Sequence, residues 1–560
     1  MRNSKSGEVP GVEQNEMIVS EGRRSFLISG ARLSVGLPLM AAGLGPVEAY
    51  AQTSPDDSKP KRGGSLVMAM SSDAASFNPN LSVVVSDHTA GGLIYEGLTD
   101  LGDDFIAQPA LAKSWTISPD GLVYTFHLVE ANWHDGKPFT SADVKYTLEQ
   151  VSAKFGAKFT AVAAAIKSIE TPDQRTVVIT LSKPYGPLLF SLSAYNGAAV
   201  LPKHLFEGTN PPDNPATLTS PVGTGPFKLK EWQRGDRLVL ERNPNYWRGE
   251  GRPYLDQIIL RVIPDGGTRV SAMQAGEIDY SMYYFFPTSR IKDAQADPRL
   301  QLRDQGIPEN KYVFFNLNNK PFDDVRVRQA LLQATSRDYI TKVVFQGLGR
   351  TMKNHIDSRL AWAFDPGIDL DKMYPTDVEA AKKLLLDAGI NTASEPLTVR
   401  LAYDSSNVDF GRMAQVLASM WSKVGIKAVV QGMPRNVMMD KVFVDREFDV
   451  TIQAYSTGGD PALGVARMYV TSAIQKRPFL NVSGYSNPEV DALFEQGANT
   501  SGFEARGVPY KKAAQILARD LPVIPIWETA AIDVASKKVH GSWARGTTYS
   551  GWDGVWVDAR

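Results

Sequence analysis

Between Leu397 and Gln431 the sequence alternates in a way that few folds accept. An apolar run over Leu397–Tyr403 is followed by apolar residues at helical spacing from Phe410 to Val424. Gly425 then stops the helix, and a second apolar run occupies Ile426–Gln431. Strand, helix, strand in this order predicts a part-parallel sheet covered by helices, with binding loops at the carboxyl ends of its strands. The neighbouring segments agree. Val325–Phe345 carries apolar residues at helical spacing, and Thr376-Asp377-Val378-Glu379 reads as a capping box opening a helix that stops at Gly389. The first half is richer in strands: Ser65–Met70, Tyr124–Leu128, Thr176–Leu181, Arg237–Glu241 and Gln257–Ile263, punctuated by Asn, Gly and Pro clusters. The expected fold is α/β with a more β-rich insertion early in the chain. No stretch repeats at a fixed period of about 20–50 residues, which argues against solenoids and propellers.

Composition removes whole classes of function. The 60 Lys+Arg and 61 Asp+Glu leave a net charge of −1, against a nucleic-acid partner, which needs a basic surface. The absence of cysteine excludes disulfides, thiolate metal sites, iron–sulfur clusters and thiol nucleophiles together. The histidines are scattered, with His127 and His134 the closest pair, so no metal or other cofactor is expected. There is no phosphate loop, no His-Glu-x-x-His and no Gly-x-Ser-x-Gly elbow; Gly223-Thr224-Gly225 lacks the third glycine of a dinucleotide fingerprint. Asp103-Asp104 and Asp323-Asp324 read as solvated turn residues rather than an acid–base couple. No catalytic residue emerges.

The amino terminus reads as an export address. Arg23-Arg24-Ser25-Phe26-Leu27 precedes a weakly apolar stretch, interrupted by Arg32 and Pro38, where a membrane span would need about 20 predominantly apolar residues. Ala49-Tyr50-Ala51 supplies a cleavage site before Gln52, so residues 1–51 resemble a twin-arginine signal and residues 52–62 a polar linker. With no cysteine to lipidate, the expected product is a soluble periplasmic monomer.

What remains is aromatic and polar residues in loops. Tyr283-Tyr284-Phe285-Phe286 follows the strand-like Glu277–Tyr280, and a core would absorb two of the four aromatics and leave the others lining something. Tyr455 to Asp460 follows the apolar Asp449–Ala454, at a strand's carboxyl end where α/β proteins place ligands; a simple turn is the competing reading.

Leu111–Gln150, which contains WHDGKPFTSADVKYTLEQ, resembles the signature region of the family 5 extracellular solute-binding proteins, receptors of peptide, nickel and oligosaccharide ABC importers. The resemblance continues through Pro221–Trp247 (PVGTGPFKLKEWQRGDRLVLERNPNYW), Ser271–Tyr280 (SAMQAGEIDY) and Tyr312–Thr335 (YVFFNLNNKPFDDVRVRQALLQAT). It resumes in Ala380–Gly389, Gln415–Ile426, Tyr485–Glu495 and Ile516–Trp527. It implies a two-lobe fold with a hinge: lobe I over 63–92, 200–305 and 512–560, an inserted domain over 93–199, and lobe III over 306–511. A small-molecule solute would be enclosed between the lobes and handed to a membrane permease and its ATPase. The segments that face the cleft in the family carry Tyr283, Tyr284, Trp362 and Tyr455 here, with Ser72 and Phe77 after the first strand and Asp460 in the loop after Tyr455 as further candidates.

Two departures from the family pattern bear on the solute. The acidic residue that holds a peptide's amino group falls on Thr457 or Gly458, and the arginine that holds a dipeptide's carboxylate falls near Asp404. A simple dipeptide is therefore not the expected ligand. If enclosed, Asp404 should meet a ligand cation, a hydroxyl donor or one of Arg359, Arg435 and Arg467; the competing reading leaves it on a surface turn. The functional reading favours an amine-bearing or polyhydroxylated solute: a modified peptide, an amino-acid–sugar conjugate or an oligosaccharide. The alternatives are an exported hydrolase of peptides or glycans, and a sensor or chaperone-like binder without a transporter.

Overall fold

The computed structural model describes residues 59–558 apart from 83, 157, 250, 307–308, 542 and 544–548. The signal segment 1–51 and most of the linker lie outside the described residues.

Two large sheets organise the chain. One has seven strands in the spatial order Leu300–Asp304, Ile532–Ser536, Tyr280–Ser281, Ser65–Met70, Gln257–Val262, Arg237–Arg242, Phe227–Gln233. The other has six, in the order Arg350–Thr351, Val523–Glu528, Glu309–Phe315, Val450–Ser456, Leu397–Asp404, Ile426–Met433. A third, antiparallel sheet of four strands is built from Ala112–Ile117, Val123–Leu128, Thr176–Leu181 and Ile166–Asp173. Each sheet has its own apolar core, around Tyr280, around Trp421 and around Phe126 respectively. Two lobes and a smaller β-rich insert result.

The strand–helix–strand unit folds as its periodicity dictates. Leu397–Asp404 lies parallel to Ile426–Met433, from Leu397 opposite Ile426 to Asp404 opposite Met433. Helix Val408–Ser422 crosses between them and buries Phe410, Met413, Ala414, Leu417 and Trp421, a stripe at helical spacing. It begins two residues before the expected start because the Asn407 side chain accepts hydrogen bonds from Asp409 N and Phe410 N. Gly425 has φ +77°, and a Cβ there would lie 2.5 Å from Thr392, so the turn into the strand requires glycine.

Three expectations need correction. The run Val325–Phe345 divides into helices Val325–Gln333 and Arg337–Val343, because Ser336 caps a second start by accepting from Tyr339 N. The cap of helix Val378–Asp387 is Asp377, which accepts from Glu379 N and Ala380 N; the Thr376 hydroxyl donates to Thr335 O instead. The boundary at residue 512 falls inside helix Phe503–Asp520, and the strand that follows, Val523–Glu528, pairs with Glu309–Phe315 in the six-stranded sheet. That strand is fully buried, with Ile524 and Ile526 in the core, so it belongs with the second lobe. The chain therefore passes between the large sheets from Asp304 to Glu309 and again from Glu528 to Ile532.

Candidate functional site

The carboxyl ends of two strands in the six-stranded sheet, Leu397–Asp404 and Val450–Ser456, meet the start of a third. Glu309 is paired with Ser456 across the antiparallel ladder, and the parallel pairing of Ala402 with Thr451 sets Asp404 near Gln453. These ends form the wall of a cavity of about 350 Å³, lined among others by Glu309, Lys311, Asp404, Arg435, Arg467 and Phe479. Such an edge is where α/β sheets expose backbone and side chains that no further strand covers.

The charges on this wall are arranged unevenly. Asp404 is buried and accepts hydrogen bonds from Ser406 N at 2.9 Å and Ser406 Oγ at 2.6 Å. Arg435 Nη1 donates to its second oxygen at 3.2 Å, while 60% of the Arg435 side chain stays exposed. Lys311 and Glu309 are paired at 2.8 Å. Arg467 donates to Ser456 O at 2.8 Å and Gly464 O at 3.2 Å, two neutral acceptors. Its guanidinium sits 5.4 Å from the centre of the Tyr455 ring, and burial lowers its pKa from the usual value. Arg435 lies over Phe479 at 6.0 Å, and the Tyr455 and Phe479 rings are themselves 5.8 Å apart. Phe479 holds a φ of +61°, a left-handed conformation costly for a residue with a Cβ.

The first lobe contributes no residue to this lining, but it brings an aromatic pair within electrostatic reach of Glu309. Tyr283 and Tyr284 lie with ring centres 3.9 Å apart and planes tilted by 36°, Tyr284 facing solvent and Tyr283 half-buried. The carboxylate of Asp533 accepts from Tyr283 N at 2.7 Å and from Gln305 Nε2 at 2.7 Å, tying this loop to both chain crossings. Tyr195 is stacked 5.6 Å from Tyr549 and packs against the cores of both lobes. Lys158 lies over Tyr195 at 4.8 Å, and burial lowers the neighbouring His88 to about 4, so that it is neutral at ordinary pH. Tyr195, Tyr549, Lys158 and His88 escaped the sequence reading. They sit in turns and short helical pieces with no period or motif, and only the fold gathers them.

Of the residues singled out from sequence, the fold brings Asp404, Arg435 and Arg467 together and sets Tyr283 and Tyr284 on the first lobe. Others go elsewhere. Tyr455 was expected to face a ligand, yet it is fully buried: its ring packs 5.0 Å from Phe314 and its hydroxyl donates to Leu480 O at 2.8 Å. It is the floor beneath Arg467. Asp460 is sealed by Arg506, whose two terminal nitrogens each reach it at 2.7 Å, and Trp362 lies on the far side of that pair, 5.1 Å from the Arg506 guanidinium. The loop between Tyr455 and Asp460 closes on the insert. A Cβ on Gly459 would lie 2.4 Å from the Phe190 ring and 2.7 Å from Phe105, so the backbone there approaches as only glycine allows. Phe77 is core, edge-on to Trp232 at 5.1 Å. The Ser72 hydroxyl is exposed and shares a hydrogen bond with Ser86 Oγ at 2.8 Å. Arg359 pairs with Asp357 and donates to Thr529 O beside the second crossing, away from Asp404.

Among the described residues this lining supplies paired charges, one guanidinium without a carboxylate partner and aromatic surface, and no histidine: the equipment for holding a polar solute. Among the described residues no group of His, Asp and Glu is placed to hold a metal ion, and no helix is long and apolar enough to cross a membrane.

Known proteins share this architecture. Heme-binding protein A of Haemophilus influenzae is 29% identical over 538 residues, covering 91% of this chain and 95% of that one. The oligopeptide-binding protein AppA of Bacillus subtilis is 27% identical over 515 residues, covering 89% and 92%. The solved structure of HbpA2 from Haemophilus parasuis superimposes with a TM-score of 0.79 at 25% identity, covering 89% of this chain and 100% of that one. The family model of the bacterial extracellular solute-binding proteins, family 5 (middle region), matches residues 107–476. With two lobes, a β-rich insert and a charged cavity at the carboxyl ends of its strands, the chain belongs to the bacterial extracellular solute-binding proteins of family 5.

Proposed function

We propose that the protein is the exported receptor of an ABC importer, a monomer in the periplasm that captures a peptide or peptide-like solute between its lobes and delivers it to a permease and ATPase. It binds and releases; it does not turn its ligand over. The observation that carries this reading is the cavity at the strand ends, where Asp404, Arg435 and Arg467 stand with charged groups over aromatic rings. Tyr283 and Tyr284 would close on the solute from the first lobe, and the crossings at 305–306 and 529–531 would be the hinge. Ligand contacts to both lobes would favour the closed state, which a permease can distinguish from the open one. The likeness to an oligopeptide-binding protein and to a heme-binding protein supports solute capture while naming two different ligands.

The test is a thermal-shift screen of the chain from Gln52 onward, with amino-terminal sequencing of the exported form to check cleavage before that residue. A ligand present at about 100 times its dissociation constant should stabilise the protein by about 2.7 kcal/mol. If no peptide or peptide-like solute shifts the transition, or if a bound solute is released chemically altered, the reading fails.

A further inference from the structure

Among the described residues, Arg467 is the cation of the cavity wall that no carboxylate neutralises. Lys311 is joined to Glu309 and Arg435 to Asp404, so both lining carboxylates already have partners. Asp409, within electrostatic reach of Lys311, is paired with Arg412 at 3.4 Å. Arg467 has only two carbonyl oxygens and the face of Tyr455, and its Nη1 meets no acceptor among the described residues. A half-buried guanidinium without a counterion is costly, and a ligand that brings the missing charge recovers that cost on binding.

The neighbourhood is built around this charge. Arg467 and Arg435 ride on adjacent rings, Tyr455 and Phe479, and Phe479 keeps an unfavourable backbone conformation. Two guanidinium groups over neighbouring rings offer several N–H donors, the chemistry that fits a carboxylate. An amine-bearing solute with no acid group would meet three cations against two neutralised carboxylates. This reverses the ligand charge expected from sequence, because Asp404 is satisfied by Ser406 and Arg435 without any ligand.

We infer that the solute is an anion whose carboxylate docks on Arg467 with Arg435 beside it; the inference rests on the solute-receptor reading. Arg467 sets specificity by charge. The test offers the mature protein a casein hydrolysate and reads bound species by native mass spectrometry. One half of the hydrolysate is untreated and the other has its carboxyl groups methyl-esterified. The wild type should capture species from the untreated pool and at least tenfold less from the esterified one. Arg467→Gln should lose capture by a similar factor while melting normally, and Arg467→Lys should restore part of it. Capture that survives esterification overturns the inference and leaves solute binding standing. So does a well-folded Arg467→Gln that captures as well as the wild type. If the wild type captures nothing from either pool, solute binding and the inference fall together. Should Arg467→Gln fail to fold, the esterified pool still decides.

Discussion

Two arginines of the second lobe stand in nearly the same surroundings and do opposite things. Arg506 lies over Trp362 and Tyr510, fully buried, with both terminal nitrogens on Asp460 at 2.7 Å. Arg467 lies over Tyr455 and, among the described residues, has only backbone carbonyls for hydrogen-bond partners. Each has an aromatic seat; only one has an acid. A buried pair with satisfied geometry locks two elements together, here the loop at Asp460 and helix Phe503–Asp520, and has nothing left to offer a ligand. An unpaired guanidinium at a cavity adds little to the fold and keeps its donors free. The same residue type is structural in one place and available for binding in the other, and the presence of a nearby carboxylate decides which.

Removing Asp460 is the strongest way to break this contrast. Asp460→Ala would leave Arg506 charged and buried with only Gly497 O and the Tyr510 hydroxyl as acceptors and no carboxylate, and should cost about 3–5 kcal/mol in urea unfolding. A loss under about 1 kcal/mol would mean the pair is not the lock described. Tyr455→Ala comes next. Its ring packs against Phe314 and Phe479, so truncation should destabilise the protein by about 3 kcal/mol and unseat Arg467. Weakened binding with an unchanged unfolding midpoint would instead put Tyr455 in contact with the ligand.

Asp533 sharpens the comparison from the other sign of charge. It is a buried acid held by the neutral donors Tyr280 Oη, Tyr283 N and Gln305 Nε2, and burial raises its pKa to about 7. An unfolded Asp titrates at about 3.9, so between these values the folded state holds a proton that the unfolded state has released. The stabilisation is therefore full below about 4 and lost as the pH rises through about 7. Glu528, raised to about 7 by burial and by Asp357, acts in the same direction. The histidines His88, His134 and His355, whose pKa burial lowers, act in the opposite direction, so the contribution of Asp533 is read as a difference between proteins. Relative to Asp533→Asn, the wild type should lose melting temperature between pH 5 and pH 8, on the order of 2 °C. Calorimetry showing the same pH dependence in the variant would contradict this assignment.

The smallest effect is expected at Arg435. Its side chain is 60% exposed, so Arg435→Ala should change stability by less than about 1 kcal/mol, as for other surface ion pairs. Its consequence would be felt at Asp404, and a larger loss would show that this acid depends on the arginine more than on Ser406.

Local order was legible in the chain because its signals are local. A helix repeats every 3.6 residues and a strand every two, so Leu397–Asp404, Val408–Ser422 and Ile426–Met433 could be read from a few turns of pattern. The resembling segments, spread along the chain, carried the family and the two-lobe fold. The site was only half legible. Asp404, Arg435 and Arg467 were named and the fold does gather them, but which of their charges cancel one another was not readable. Asp404 meets Arg435 at a separation of 31 residues and Asp460 meets Arg506 at 46, and no period or motif couples positions so far apart. Tyr455 looked like a loop aromatic until the rings of Phe314 and Phe479 closed over it. The crossing at residues 529–531 was hidden for the same reason, since a strand's sheet depends on its partner and not on its own residues. What the sequence alone determined, then, was which residues form strands and helices and which face of each is apolar. Only the tertiary structure decided which charges cancel one another and which remain for a ligand, because electrostatic pairing depends on distance in space and burial, and both exist only once the chain has folded.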